Sequence, residues 1–218
     1  MGKRGAYYET NRRAGEDVDF YQYEREAQAD GCVRVCGCDE AGAGPLAGPV
    51  YAAAVVLPFG ADIPGLDDSK KLTEKKREAL FPVIQEKALA WAVARVEAAE
   101  IDETDILSAR MKAMQLAVDQ LDPPADFALV DGNRDHGHSF AITTPHRCIV
   151  KGDSLSASIA AASVLAKVSR DHYMLEMAQQ YPQYGFEQHK GYGTKLHYEM
   201  LRTYGPSPIH RRTFLKNL

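Results

Sequence analysis

Apolar positions along the chain follow two different periods, and the switching between them predicts a layered α/β fold. Residues 33–38 (VRVCGC) alternate and are rich in β-formers. Residues 50–57 (VYAAAVVL) form a near-continuous apolar run stopped by Pro58, the pattern of a strand covered on both faces. Residues 89–96 (LAWAVARV) read as a third strand with Trp91, Val93 and Arg95 on one face. Residues 127–130 read as a short fourth strand, and a stretch including 148–150 as a fifth. Elsewhere the period lengthens. A helix over 17–29 is stopped by Gly31. Thr73 caps a helix over 74–87 with Leu80, Val83 and Ile84 on one side, and Pro82 inside it predicts a kink or a late start. Over 101–121, Leu107, Met111, Met114, Val118 and Leu121 step by four and three, which predicts one long helix ended by Pro123 and Pro124. Residues 152–154 open a long helix over 156–180, stopped by Pro182. Its first turns (SASIAAASVLAKV) are small enough to lie close against a sheet. Residues 184–194 read as a glycine-punctuated loop and 196–204 as a last short helix.

Composition narrows this picture. With 218 residues, 45% hydrophobic and 26% charged, the chain is long enough to bury a core as one domain with a small appendage. No apolar run is long enough to span a bilayer, and MGKRGAYYETNRR lacks the apolar centre of a secretory signal. The expectation is a cytoplasmic protein with no membrane contact, a disordered first dozen residues, and a monomeric state as the default. Cys32, Cys36, Cys38 and Cys148 are too few and too bunched for a disulfide framework, and no second Cys/His pair stands at zinc spacing, so they read as core residues of a reduced protein. The net charge of −4 argues against a generic basic nucleic-acid binder. From His146 onward, however, ten Lys and Arg face five Asp and Glu, a balance of +5 that leaves −9 on the rest. A positive face beside an acidic centre attracts a polyanion and leaves a cation site next to it, although a solvated helical face carries a similar charge.

The candidate chemistry lies in carboxylates far apart in the chain. Asp39 and Glu40 end the first strand and run into a glycine loop, Gly42-Ala43-Gly44, whose backbone lets a ligand approach closely and whose N–H groups bind phosphate oxygens. Asp131 ends an apolar strand just before Gly132, and Asp153 stands at a helix start. In a layered α/β fold, strand ends and helix starts meet at one sheet edge, where ligands sit. Asp131 is equally readable as a turn former and Asp153 as a helix cap. Neighbours on a regular strand point to opposite faces, so Asp39 and Glu40 share a site only if the strand has ended or turned by Glu40. Converged carboxylates stay ionised with a cation among them, and all-oxygen ligation suits Mg²⁺ or Mn²⁺. Two such ions, roughly 4 Å apart, promote in-line displacement at phosphorus by activating water and stabilising the leaving oxygen.

Taken in order, DEAGAGPLAGPVYAAAVV, DDSKKL, LVDGN, VKGDSLSASIAAASVLAKVSRD, HKGYGTKLH and SPIHRRTF resemble bacterial ribonuclease HII, the type 2 ribonuclease H, over nearly the whole chain. The resemblance implies a ribonuclease H-like fold, a mixed five-stranded sheet flanked by helices with a helical C-terminal segment. It implies three parts: a polar extension and helix (1–31), a catalytic domain (32–181) and a substrate-contacting segment (182–218). It further implies endonucleolytic cutting of RNA–DNA hybrids and of DNA duplex containing ribonucleotides, leaving 3′-hydroxyl and 5′-phosphate ends. Asp39, Glu40, Asp131 and Asp153 fall on the family's metal-site acids. Gly42 and Gly44 fall on the loop whose backbone reads the ribose 2′-hydroxyl. Tyr192 falls on a tyrosine that packs on the deoxyribose, and Asp68, Ser69, Lys70 and Lys71 on a loop near the nucleic-acid backbone. There is one departure. Where the family reads Gly-Arg-Gly, this chain has Ala43, which removes an arginine that contacts phosphates at the cut. That leaves a slow nuclease, a hybrid-binding protein with little catalysis, and another nuclease or nucleotidyl transferase on the same fold as readings that an embedded-ribonucleotide duplex separates.

Overall fold

The computed structural model describes residues 19–216. The helix expected over 17–29 is observed as α1 (Gln22–Ala29), closed behind by Gly31 at φ +96°. Residues 17 and 18, and the disorder expected for the first dozen residues, lie outside the described residues.

Five strands, β1 (Val35–Ala41), β2 (Val50–Val56), β3 (Ala90–Val96), β4 (Phe127–Asp131) and β5 (His146–Ile149), make one sheet in the order β3-β2-β1-β4-β5. β2 pairs antiparallel with both β1 and β3, whereas β1–β4 and β4–β5 are parallel. The sheet is therefore mixed, as the resemblance implied. β1 sits at its centre because both faces are covered, so successive β1 side chains enter two different cores. Cys36 and Cys38 join Ala52, Ala54, Val130, Met111 and Met114 under helix α4 (Ile106–Asp119). On the opposite face Ala53 and Val55 meet Ala161, Val164 and Leu165 of α5 (Ala157–Gln180) and Leu80 and Ile84 of α2 (Glu74–Lys87). Val35, Leu129 and Ile159 extend that second core. Gly37 shows how close α5 lies: a Cβ there would sit 2.1 Å from Ile159 N and from Ser158 C. The Ala/Ser crowding of the helix has this close contact as its purpose.

Several local expectations change. The single helix expected over 101–121 is two, α3 (Ala98–Glu103) and α4. Asp105 divides them, because its carboxylate accepts from Ser108 N at 2.9 Å and Ser108 Oγ at 2.5 Å and so caps α4. Helical periodicity runs through a cap without registering it. Asp105→Ala should cost about 1 kcal/mol in urea unfolding, the usual worth of an N-cap. α2 starts at Glu74 on the Thr73 cap and passes through Pro82, with no late start. Asp153 is not part of α5: it lies in a separate 3₁₀ turn, Gly152–Ser154, and Ser156 caps the helix. The loop expected over 184–194 contains a short helix, α6 (Phe186–His189), before α7 (Lys195–Tyr204). Residues from this C-terminal region bury Tyr184, Phe186 and Leu201 against Leu46, Ala47 and Met174, so the segment packs on the glycine loop and on the far half of α5. Among the described residues, no helix is long and apolar enough to cross a membrane.

Candidate active site

Strand alternation brings two of the acids together. β1 and β4 run parallel with Cys38 beside Val130, both in the α4 core. The next residue on each strand, Asp39 and Asp131, therefore turns to the α5 face. The third acid arrives from the helix side. After β5, Lys151 adopts a left-handed φ of 58° and the 3₁₀ turn leads into α5, which lays Asp153 over the strand ends. Asp153 N–H reaches Asp131 Oδ1 at 3.4 Å. Gly152 lets this happen, since a Cβ there would lie 2.6 Å from Ile159 Cδ1 and 3.3 Å from Asp131 Oδ1. The outcome is one carboxylate oxygen from each of Asp39, Asp131 and Asp153, all within 4.8 Å of one another.

Glu40 departs from the geometry that the sequence required for a shared site. β1 does not turn before it but continues to Ala41, with Glu40 opposite Ala52 in the ladder. Its side chain accordingly points to the α4 face, where Oε1 meets Arg110 Nη2 at 2.5 Å. Glu40 Oε2 and Arg110 Nε are buried with no hydrogen-bond partner among the described residues. Glu40 remains within electrostatic reach of the triangle, since its charge helps to raise both Asp39 and Asp131.

The electrostatics are those of a cation site. Burial, then the charges of Glu40 and Asp131, hold Asp39 well above the ordinary carboxylate range, against the Glu40 amide at 2.7 Å and Lys70. Burial, then Asp153 and Glu40, push Asp131 up to about 6. Burial also raises Asp153, although Lys70 opposes the shift with its Nζ 3.0 Å from Asp153 Oδ2. For Lys70, burial works against the charge, but the Asp153 bond together with the charges of Asp153, Asp39 and Asp131 outweighs it, so the ammonium is raised and firmly protonated. Three carboxylates this close in a shielded site call for positive charge, and one lysine on a largely exposed stem supplies part of it.

The DDSKKL loop meets this triangle edge-on. Lys71 Nζ bridges Asp67 at 3.1 Å and Ser154 Oγ at 3.2 Å. Asp68 is buried and accepts from Lys70 N. Ser69 is buried too, with its amide 3.3 Å from Ser163 Oγ on α5 and its carbonyl accepting from Arg77, so it ties the loop down. On the other side of the site lies the glycine loop. Gly42 has φ +92°, and a Cβ on it would strike Arg170 Nε at 2.0 Å. Gly44 differs: its φ is not left-handed and a Cβ would meet nothing within 4 Å, so the fold itself does not require glycine there. Tyr192, half-exposed, leans over the guanidinium of Arg170 at 5.7 Å and the ammonium of Lys167 at 6.0 Å. Gly191 next to it packs so tightly on the loop that a Cβ would lie 2.5 Å from Ala47 O.

The sequence reading assigned no role to Arg110, Arg170 or Arg211. A signal existed for Arg170, which stands four residues from both Ala166 and Met174 on the buried stripe of α5. Arg211 stands inside a quoted motif, but nothing local marks it as fully buried.

Comparison with known proteins shows the family to which the chain is similar. The Ribonuclease HII family model matches residues 36–217. A ribonuclease HII of Geobacillus sp. (strain WCH70) is 54% identical over 196 residues, which is 90% of this chain and 69% of that protein. One from Caldicellulosiruptor bescii is 50% identical over 206 residues, 94% of this chain and 98% of that protein. Among solved structures, the ribonuclease H2 of Pyrococcus horikoshii OT3 aligns with a TM-score of 0.67 at 28% identity, covering 83% of this chain and 93% of that one. Bst-RNase HIII in complex with Mn²⁺ shares the fold, with a TM-score of 0.61 at 20% identity over 88% of this chain and 69% of that one. With half the residues identical over nearly its full length, the chain belongs to the ribonuclease HII family.

Proposed function

We propose that this chain is an endoribonuclease that cuts the RNA strand of RNA–DNA hybrids and nicks 5′ to single ribonucleotides embedded in duplex DNA, leaving 3′-hydroxyl and 5′-phosphate ends. The observation that carries the reading is the triangle of Asp39, Asp131 and Asp153 beside a glycine loop with an open position at Gly44. All its donors are carboxylate oxygens, two of the three residues are nearly fully buried, and all three are raised by burial and then by neighbouring negative charge, so the residues fit Mn²⁺ or Mg²⁺. Asp39, Asp131 and Asp153 would hold the ions, with Glu40 adding its charge from the other face of β1, where Arg110 holds it. Bound there, two such ions supply an activated water and stabilise the leaving oxygen.

The remaining tasks fall to the chain itself. Lys70 and Lys71 face the nucleic-acid backbone, and Lys70 exchanges its contact with Asp153 for one with phosphate as the substrate enters. Ser69 holds that loop to α5. Gly42, Ala43 and Gly44 present backbone to the ribose, and Tyr192 offers a flat ring to the neighbouring sugar. In this reading residues 32–181 form the nuclease body and 182–218 a substrate-contacting segment, after an extension over 1–31. Free thiols, three of them buried, suit a reducing cytoplasm, and the working unit is a monomer on its duplex.

A duplex with one ribonucleotide, with and without Mn²⁺, tests the reading. A nick 5′ to the ribonucleotide supports it. Binding without a nick supports the hybrid-binding alternative that Ala43 favours, and cutting of all-DNA duplex supports another nuclease. Ala43 lacks a charge-assisted phosphate contact of about 1.5–3 kcal/mol. Ala43→Arg should therefore raise the single-turnover rate roughly 10- to 150-fold, and an unchanged rate would remove position 43 from phosphate contact.

A further inference from the structure

Two arginines with no side-chain exposure lie directly beneath the glycine loop, and neither pairs with a carboxylate among the described residues. Their partners are backbone carbonyls. Arg211 donates through Nη2 to Gly42 O at 2.6 Å, through Nη1 to Ala43 O at 2.9 Å and through Nε to Gly48 O at 3.0 Å. Arg170 donates through Nη2 to Ala47 O at 3.1 Å, through Nε to Pro49 O at 3.2 Å and through Nη1 to Lys190 O at 3.0 Å. Five loop carbonyls are thus drawn inward onto two cations.

The consequence for the N–H groups follows from peptide geometry. In a trans peptide the C=O and the next residue's N–H point in opposite directions. Fixing Gly42 O and Ala43 O on the Arg211 fork therefore turns the N–H groups of Ala43 and Gly44 away from the core. Elsewhere in the loop, Leu46 N bonds Gly191 O, Gly48 N bonds Ile209 O, and positions 45 and 49 are prolines. Among the described residues, Ala43 N–H and Gly44 N–H have no acceptor. Two adjacent amides thus stand side by side, polarised from behind by a buried guanidinium, at the one glycine in the loop with open space before it.

We propose that Arg211 is a positioning residue for substrate choice: its fork across Gly42 O and Ala43 O aims the Ala43 and Gly44 amides at the oxygen of a ribose 2′-hydroxyl. This rests on the hybrid reading above and adds the group that sets the sugar-reading amides. A sugar lacking that hydroxyl leaves both donors unpaired and desolvated, and such a site rejects the deoxy analogue. Arg170 fixes the other end of the loop, and its bond to Lys190 O, at a left-handed φ of 48°, links the loop to the segment bearing Tyr192.

Arg211→Lys tests this, because lysine keeps the charge but cannot fork across two carbonyls. The readout is affinity for a duplex with one ribonucleotide against its all-deoxy counterpart, measured by anisotropy in Ca²⁺. The expected result is a fall in the ribo-over-deoxy ratio of roughly 10- to 100-fold, as for loss of aligned donors. Mn²⁺ affinity measured by calorimetry should not change. A role in folding alone would weaken both duplexes equally. A second variant, with the Gly44 amide replaced by a backbone ester, removes that donor while leaving the fork in place and should lower the ratio as well. Folded Arg211→Lys protein with the wild-type ratio overturns the proposal. Should that variant not fold, an ester protein with the wild-type ratio overturns it. Wild-type protein with no preference for the ribonucleotide overturns the hybrid reading itself.

Discussion

Asp131→Asn is expected to abolish Mn²⁺-dependent cleavage and, in the same protein, to raise the melting temperature of the metal-free form at neutral pH. The two effects have one origin. Asp131 lies between Asp39 and Asp153 in a shielded triangle, where burial and the neighbouring charges lift its pKa to about 6. The unfolded chain releases that proton near 4. Between those values the fold binds a proton that the unfolded chain has lost, so folding stability falls as pH rises through this window. At pH 7 the full penalty is present, on the order of 3 kcal/mol. Asparagine carries no charge, so the variant escapes the penalty. Its advantage in EDTA should be plain at pH 7 and gone at pH 4, measured as the difference in melting temperature between the two proteins. With Mn²⁺ the order should reverse, because only wild type gains stability from the ion. Cleavage should fall by at least about a thousandfold, as for loss of a group acting directly at the reacting centre. A variant that cuts normally, or one no more stable than wild type at pH 7, would separate Asp131 from the triangle.

Gly37→Ala is expected to be strongly destabilising, because it adds a methyl against the backbone of α5. Gly37 faces α5 from the central strand, and its missing Cβ would lie 2.1 Å from the Ile159 nitrogen and 2.5 Å from Ser158 O. These are backbone atoms in the first turn of a helix, and they cannot swing aside as a side chain can. Either α5 lifts from the sheet or β1 buckles. Both disturb the Ser156 cap and, just ahead of it, the turn that carries Asp153. Overpacking of this kind costs about 3 kcal/mol or more, and urea unfolding should register that loss. Metal-dependent cleavage should fall further than stability alone explains, since the Asp39–Asp153 separation rides on the same contact. An alanine variant of wild-type stability would mean that α5 does not lie on Gly37.

Much of this was readable in the sequence, and the failures have physical reasons. The five strands were legible because a sheet covered on both faces demands continuous apolar runs, as in 50–57, or strict alternation, as in 89–96. The closeness of α5 was legible from its Ala and Ser. Asp39, Asp131 and Asp153 were legible as candidates because each stands close to the end of a strand or in the turn before a helix. Asp105 and Ser156 were missed as boundaries, since a cap is a side-chain hydrogen bond and leaves no trace in hydrophobic period. The direction of Glu40 was also missed. It depended on how many residues β1 would continue, and the pairing of Asp39 and Glu40 with Ala53 and Ala52 of β2 decides that. Arg110 and Arg211 stayed hidden because burying a guanidinium depends on acceptors brought from distant segments.

That uninterrupted first strand has a consequence for what substitutions the site tolerates. Asp39 and Glu40 sit on opposite sides of a rigid ribbon, one serving the triangle and the other answering Arg110. The dipeptide is therefore directional. Written as Glu-Asp it would keep the same charge and nearly the same atoms, yet the longer arm would crowd the three-acid cluster and the shorter one would fall short of its guanidinium partner. Losing one residue upstream would be worse, because every later side chain of the ribbon would trade sides and both acids would leave their stations together.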